Sequence, residues 1–178
     1  MGVSRTPLRE ALLGLEREGF LTSEAGRGFF VQPLTLRDAE ELYPILATLE
    51  GTALDASGPF SKVRLAELRS INEDLKRRTD AVEALALDRL WHDTLLRECR
   101  NTRLLALIDT LKDQARRYEA AYMQDSGRVI LSTRQHQAIL IALEKGDAAA
   151  ARLELAKNWL GSLEFLSPWL GRRAGPAA

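Results

Sequence analysis

The sequence predicts a mainly α-helical protein, with a short helix and a glycine-tipped β-hairpin ahead of an antiparallel bundle of about six helices. Three observations lead there. Strand signals are confined to Phe20–Ser23 and Phe29–Gln32, on either side of Ala25-Gly26-Arg27-Gly28, where glycines supply the positive φ of a tight turn. Pro33 has no amide hydrogen to give a ladder and ends the second strand. Beyond it apolar residues recur at helical spacing, divided by capping and breaking residues.

Thr35, with Asp38 three residues on, opens the first bundle helix, whose stripe is Leu36, Ala39, Leu42, Leu46, Leu49 and Ala53. Pro44 lies inside it and is expected to bend it. Ser57-Gly58-Pro59 breaks it, and Val63, Leu65, Leu68, Ile71 and Leu75 mark the second. Asp80 with Glu83 caps a third, running to about Cys99. Asn101 caps a fourth that reaches toward Met123, with a stripe serving either the core or a dimer contact. Asp125-Ser126-Gly127 reads as a turn and Val129–Glu144 as a helix. Lys145-Gly146-Asp147 ends that helix and caps the last, Ala148–Leu166, and a frayed tail is expected after Pro168. The resulting division is 1–33, 34–166 and a tail of 167–178.

Composition narrows function. The 178 residues carry 25 basic and 25 acidic side chains. A generally basic nucleic-acid binder is excluded, so any DNA contact must come from a local patch. The single cysteine, Cys99, fits a reducing cytosol and reads as a small buried hydrophobe. No apolar run approaches the roughly 20 residues of a membrane span, so a cytoplasmic location with no membrane partner is expected. Two histidines and one cysteine offer no Ser/His/Asp or Cys/His arrangement, and the expectation is that this is not an enzyme. Trp91, Trp159 and Trp169 read as core or interface anchors, and Arg116-Arg117 as a solvated helix face.

The segment Ser4–Gly19 carries the sharpest signal. Leu8, Ala11, Leu12 and Leu15 form one apolar face, while Arg5 and Arg9, four apart, share another near the helix start beside Thr6. Pro7 suits a first turn, Ser4 or Thr6 can cap, and Gly19 supplies the stop. A helix with a buried back and Arg/Thr at its N-terminal end, followed by a hairpin, suits major-groove reading with a wing on the backbone. Spacing alone equally fits an amphipathic helix with solvated arginines. However, Gly2-Val-Ser-Arg-Thr-Pro-Leu-Arg-Glu-Ala-Leu, Leu15-Glu-Arg-Glu-Gly-Phe-Leu and Gly26-Arg-Gly-Phe-Phe-Val closely resemble the GntR family of winged helix-turn-helix regulators. The resemblance implies DNA contacts from Ser4, Arg5, Thr6 and Arg9, with the wing tip at Arg27-Gly28. It also implies a helix and most of a second ahead of Ser4. With the chain starting at Met1, the winged helix-turn-helix is expected to be partial, its Leu8/Leu12/Leu15 face short of packing.

Asp88 and His92 sit four apart on one predicted helix face, and His136 lies on a later helix. A carboxylate and two imidazoles from different helices can hold a divalent metal in a bundle core. On spacing alone an ion pair and a hydrogen-bonded histidine serve as well. Leu87-Asp-Arg-Leu-Trp-His-Asp-Thr-Leu, Asn101-Thr-Arg-Leu-Leu, Gln135-His-Gln-Ala-Ile-Leu and Glu144-Lys-Gly-Asp-Ala-Ala-Ala-Ala-Arg resemble the helical effector domain, FCD, of the family's FadR branch. Many members hold zinc or nickel through an Asp and three His, and the metal helps hold a small carboxylate. Asp88, His92 and His136 fall on three of those places, and Asn158 falls on the fourth. Leu46 stands near where members often carry an arginine that grips the effector.

The resemblance therefore implies an effector-controlled regulator, most often a repressor, acting as a homodimer on palindromic operator DNA. The alternative is a stand-alone ligand-binding and dimerisation module that no longer binds DNA.

Overall fold

The computed structural model describes residues 5–122 and 126–173, so Ser4, the side chain of Arg5 and Asp125 lie outside the described residues. Helix α1 (Arg5–Arg17) leads into an antiparallel hairpin of β1 (Leu21–Glu24) and β2 (Gly28–Val31), in which Leu21 pairs with Val31 and Glu24 with Gly28. Gly26 and Gly28 take φ of 76° and 101°, the left-handed region the turn needs. Six helices follow: α2 (Leu36–Asp55), α3 (Lys62–Lys76), α4 (Ala81–Leu96), α5 (Thr102–Tyr122), α6 (Ser126–Glu144) and α7 (Ala148–Arg173).

The caps form where the sequence places them. Thr35 Oγ1 accepts from Asp38 N at 3.1 Å, Asp80 from Val82 N and Glu83 N, Asn101 from Leu104 N and Asp147 from Ala150 N. Each satisfies donors that the first helical turn leaves open. Two expectations are corrected. Ser126 and Gly127 belong to α6 and not to a turn, and the chain past Pro168 continues as helix to Arg173. Leu166 is fully buried and Leu170 is nearly so, and burying such side chains contributes about 1.5–3 kcal/mol each, enough to offset a proline's lost hydrogen bond. A smaller difference is that α4 stops at Leu96, with Cys99 in the turn beyond and buried.

In the bundle, α7 lies against α2 and α6, α3 against α4 and α6, and α5 against α2. Leu46, Leu68, Leu75, Leu95, Ile139, Leu140 and Leu155 fill the core without exposed surface. Leu46 therefore packs in the core. Pro44, inside α2, faces solvent, so the hydrogen bond it cannot make is missing on the wet side. The apolar face of α1 is open: Leu8 is 53% exposed and Leu15 is 40% exposed. No helix among the described residues is long and apolar enough to cross a membrane.

One buried cation ties two helices. Arg64 of α3 donates through Nε to Thr94 O at 3.2 Å and through Nη2 to Leu95 O, and its guanidinium lies 3.9 Å over the Phe60 ring. It thereby caps the closing carbonyls of α4, where a cation also meets the negative end of the helix dipole. Arg64→Ala is expected to lower unfolding free energy by about 2–4 kcal/mol in a urea titration, and a loss within error would remove this capping role.

Candidate functional site

Helix α4 presents Asp88 and His92 one turn apart toward the bundle interior, where α6 brings His136. His136 Nε2 stands 3.6 Å from Asp88 Oδ1, and His92 Nε2 4.0 Å from Asp88 Oδ2. One ligand atom from each of the three residues fits within 4.8 Å. Both histidines are buried, and the Asp88 side chain is 14% exposed.

The far side of each imidazole is held. His92 Nδ1 donates to Glu50 Oε2 of α2 at 2.7 Å. His136 Nδ1 donates to Asn72 Oδ1 of α3 at 3.0 Å, and Asn72 Nδ2 donates to Thr133 O at 3.0 Å, which fixes the orientation of that amide. Trp91 stacks on His136 at 3.7 Å with planes 4° apart. These contacts aim both Nε2 atoms at Asp88. His136 Nε2 is buried with no hydrogen-bond partner. A buried lone pair without a proton or cation opposite it is costly, so this donor set fits a divalent metal, with orienting partners already in place.

Around the cluster lie charges that helical spacing does not reveal. Glu50, with no exposed surface, also accepts from Trp159 Nε1 at 2.7 Å and pairs with Lys112 Nζ of α5 at 2.7 Å. Lys112 is 4% exposed and also reaches Asp93 Oδ1 at 3.1 Å. Burial alone would raise the Glu50 carboxyl, but His92 and Lys112 outweigh it and hold it well below the usual range. Burial would lower His92 and Lys112, and the carboxylates beside them raise both. His136 is lowered by burial and by its neighbour His92, whereas Asp88 is raised by burial. Glu119 of α5 is pushed up to about 8 by burial and by Asp88.

Asp88, His92, Lys112, Arg116, Glu119 and Trp159, among others, line a cavity of about 510 Å³ between α4, α5 and α7, and Glu50 and His136 stand behind that lining. Arg116 thus borders the cavity as well as solvent. Across its rim Arg89 donates to Asp113 at 2.6 Å. Asn158 is buried on α7, and its Nδ2 donates to Gln135 Oε1 at 3.0 Å, leaving Oδ1 as its one ligand atom. Outside the cavity lining, Thr6 and Arg9 are exposed at the start of α1, while Arg27 lies at the hairpin tip, ion-paired with Glu24 and 5.3 Å over the Phe30 ring.

Two family models match the chain: the FCD domain over residues 41–158 and bacterial regulatory proteins, gntR family, over residues 1–31. A relative described as the Nta operon transcriptional regulator of Aminobacter aminovorans is 35% identical, the match spanning 84% of this chain and 72% of that protein. A probable D-xylose utilization operon transcriptional repressor of Paenarthrobacter nicotinovorans is 28% identical over 89% of this chain and 71% of its own. Among solved structures, a GntR family regulator from Pseudomonas syringae pv. tomato aligns with a TM-score of 0.66 at 27% identity, covering 99% of this chain and 75% of that one. E. coli McbR/YncC aligns with a TM-score of 0.82 at 22% identity, covering 95% and 87%, a likeness of fold alone.

Glu50→Gln leaves Lys112 and His92 buried without their shared counter-charge, and is expected to cost about 3–5 kcal/mol of stability at neutral pH. Because folding depresses the Glu50 pKa, its contribution is complete above the ordinary glutamate value near 4.5 and fades as pH falls below it. The gap between the wild-type and Glu50→Gln stability curves should therefore narrow on acidification, and a gap independent of pH would contradict this dependence.

Proposed function

We propose, from the premise that the chain belongs to the GntR family of bacterial regulators with an FCD domain, that it is a homodimeric transcriptional repressor whose DNA binding answers to a small carboxylate effector held at a metal in the helical domain. The observation that carries this reading is the unpartnered, buried Nε2 of His136, aimed with His92 at Asp88 on the cavity wall. Asp88, His92 and His136 would hold zinc or nickel, with Asn158 offering its Oδ1 where the family pattern has a fourth imidazole. Such an ion is a Lewis acid able to bind a carboxylate at an open position. Leu46 supplies no charge, which leaves metal and cavity side chains to meet the anion. Glu50 and Asn72 orient the imidazoles from behind.

On the DNA side, the exposed Thr6 and Arg9 sit at the N-terminal end of α1, where donors and helix dipole favour phosphate and Arg suits guanine edges. Ser4 and Arg5 join them in this reading, and Arg27-Gly28 would follow the backbone from the wing tip. A two-fold dimer would present two such heads to two half-sites.

Zinc titrated calorimetrically into metal-free protein should bind in equimolar amount, and His136→Ala should weaken binding by at least about 100-fold. A proton competes with zinc for the His92 imidazole, which Glu50 makes more basic, so affinity should fall as pH drops. Heat of binding unchanged in His136→Ala would remove this site. With a duplex selected from a random pool, Arg9→Ala should weaken binding by about 1–3 kcal/mol at fixed salt if Arg9 reads a base. A protein that takes up zinc and selects no duplex would instead be a ligand-binding and dimerisation module.

A further inference from the structure

Helix α5 serves two places at once. Lys112, Asp113, Arg116 and Glu119 face the cavity, while Leu111, Gln114, Arg117 and Tyr118 face the joint between the hairpin and the bundle. At that joint the Tyr118 hydroxyl accepts from Thr35 N at 3.2 Å and donates to Thr35 O at 3.3 Å. Thr35 is the N-cap of α2 and follows β2 by four residues, with Pro33 between them. A single hydroxyl therefore grips both polar groups of the backbone unit at which the reading head ends and the bundle begins.

Tyr118 is also the last ring in a row. Trp159 lines the cavity, lies 5.3 Å from His92 and hydrogen-bonds Glu50. Its ring meets Tyr43 edge-on at 5.8 Å, and Tyr43 meets Tyr118 at 6.3 Å with planes 90° apart. Trp159, Tyr43 and Tyr118 are each at most 5% exposed. Close-packed rings leave little room for one to move alone, and edge-to-face pairs resist reorientation.

We infer that Tyr118 is a positioning residue that couples the Asp88/His92/His136 cavity to the DNA-reading head, through the row Trp159–Tyr43–Tyr118 and the grip on Thr35. A change in the tilt of Trp159 is passed ring to ring to the Tyr118 hydroxyl, and so to the joint. The inference rests on the cavity being the effector site and the head reading DNA, as proposed above.

Proximity alone does not establish coupling, so the test is a double-mutant cycle on the full chain. Hydrogen exchange is followed at the amides of residues 34–38 in the wild type, Trp159→Phe, Tyr118→Phe and the double variant. Both substitutions keep a ring in the row, and urea titrations check that each variant is folded. Trp159→Phe should speed exchange at the joint by about three- to tenfold when Tyr118 is present, and by less than about 1.5-fold when it is Phe. A purely structural Tyr118 would give the same factor in both backgrounds. That additive result overturns the inference, as does an unchanged joint in Trp159→Phe. A separate arm adds zinc: exchange at the joint should slow in the wild type, and Tyr118→Phe should bind zinc as tightly with no such response. Absence of zinc binding counts against the proposed metal site alone, because the mutant cycle is measured without zinc and decides the coupling by itself.

Discussion

The buried Glu50 carboxylate is the point on which the interior of the bundle depends. Three donors from three other helices converge on it: His92 of α4, Lys112 of α5 and Trp159 of α7. A carboxylate removed from water at this depth stays an anion because His92 and Lys112 offset the cost of its burial. The dependence runs the other way too, since burial alone would lower Lys112 and His92, and Glu50 beside them raises both. Removing any member strands the others, so the helices around the cavity are tied by one electrostatic unit and not only by apolar contact. His92 takes its ring orientation from this unit, and the geometry of the Asp88/His92/His136 cluster follows from it.

The wall between α4 and α5 is of a different kind. Arg89 with Asp113 and Lys112 with Asp93 join those helices along the cavity rim, and most of these side chains are partly solvated. Such pairs hold weakly and respond to salt. The bundle thus combines an apolar floor, where α2, α6 and α7 meet, with a wall between α4 and α5 joined mainly by partly solvated ion pairs.

Much of this is legible in the sequence because it is local. Thr35, Asp80, Asn101 and Asp147 announce helix starts through bonds spanning two or three residues, and Gly26 and Gly28 announce the hairpin turn. Asp88 and His92 share a face by spacing, although only the fold brings His136 to them. What escapes is decided by packing. Leu166 and Leu170 carry α7 past a proline that locally argues for an end. Glu50, Asn72 and Lys112 go unnoticed because charged and amide side chains on helices are read as solvated. Yet each stands four residues after a core residue, Leu46, Leu68 and Ile108, squarely on the apolar stripe. A polar residue in core register is the available signal.

Gly51 of α2 faces α7 closely enough that a Cβ there would stand 3.2 Å from the Arg152 side chain, which pairs with Asp55. A side chain at position 51 would press on that arginine, so the close approach of α2 and α7 here goes with a residue that carries none. Trp159 rides on α7 two turns further along, so its depth in the cavity is inherited from that spacing.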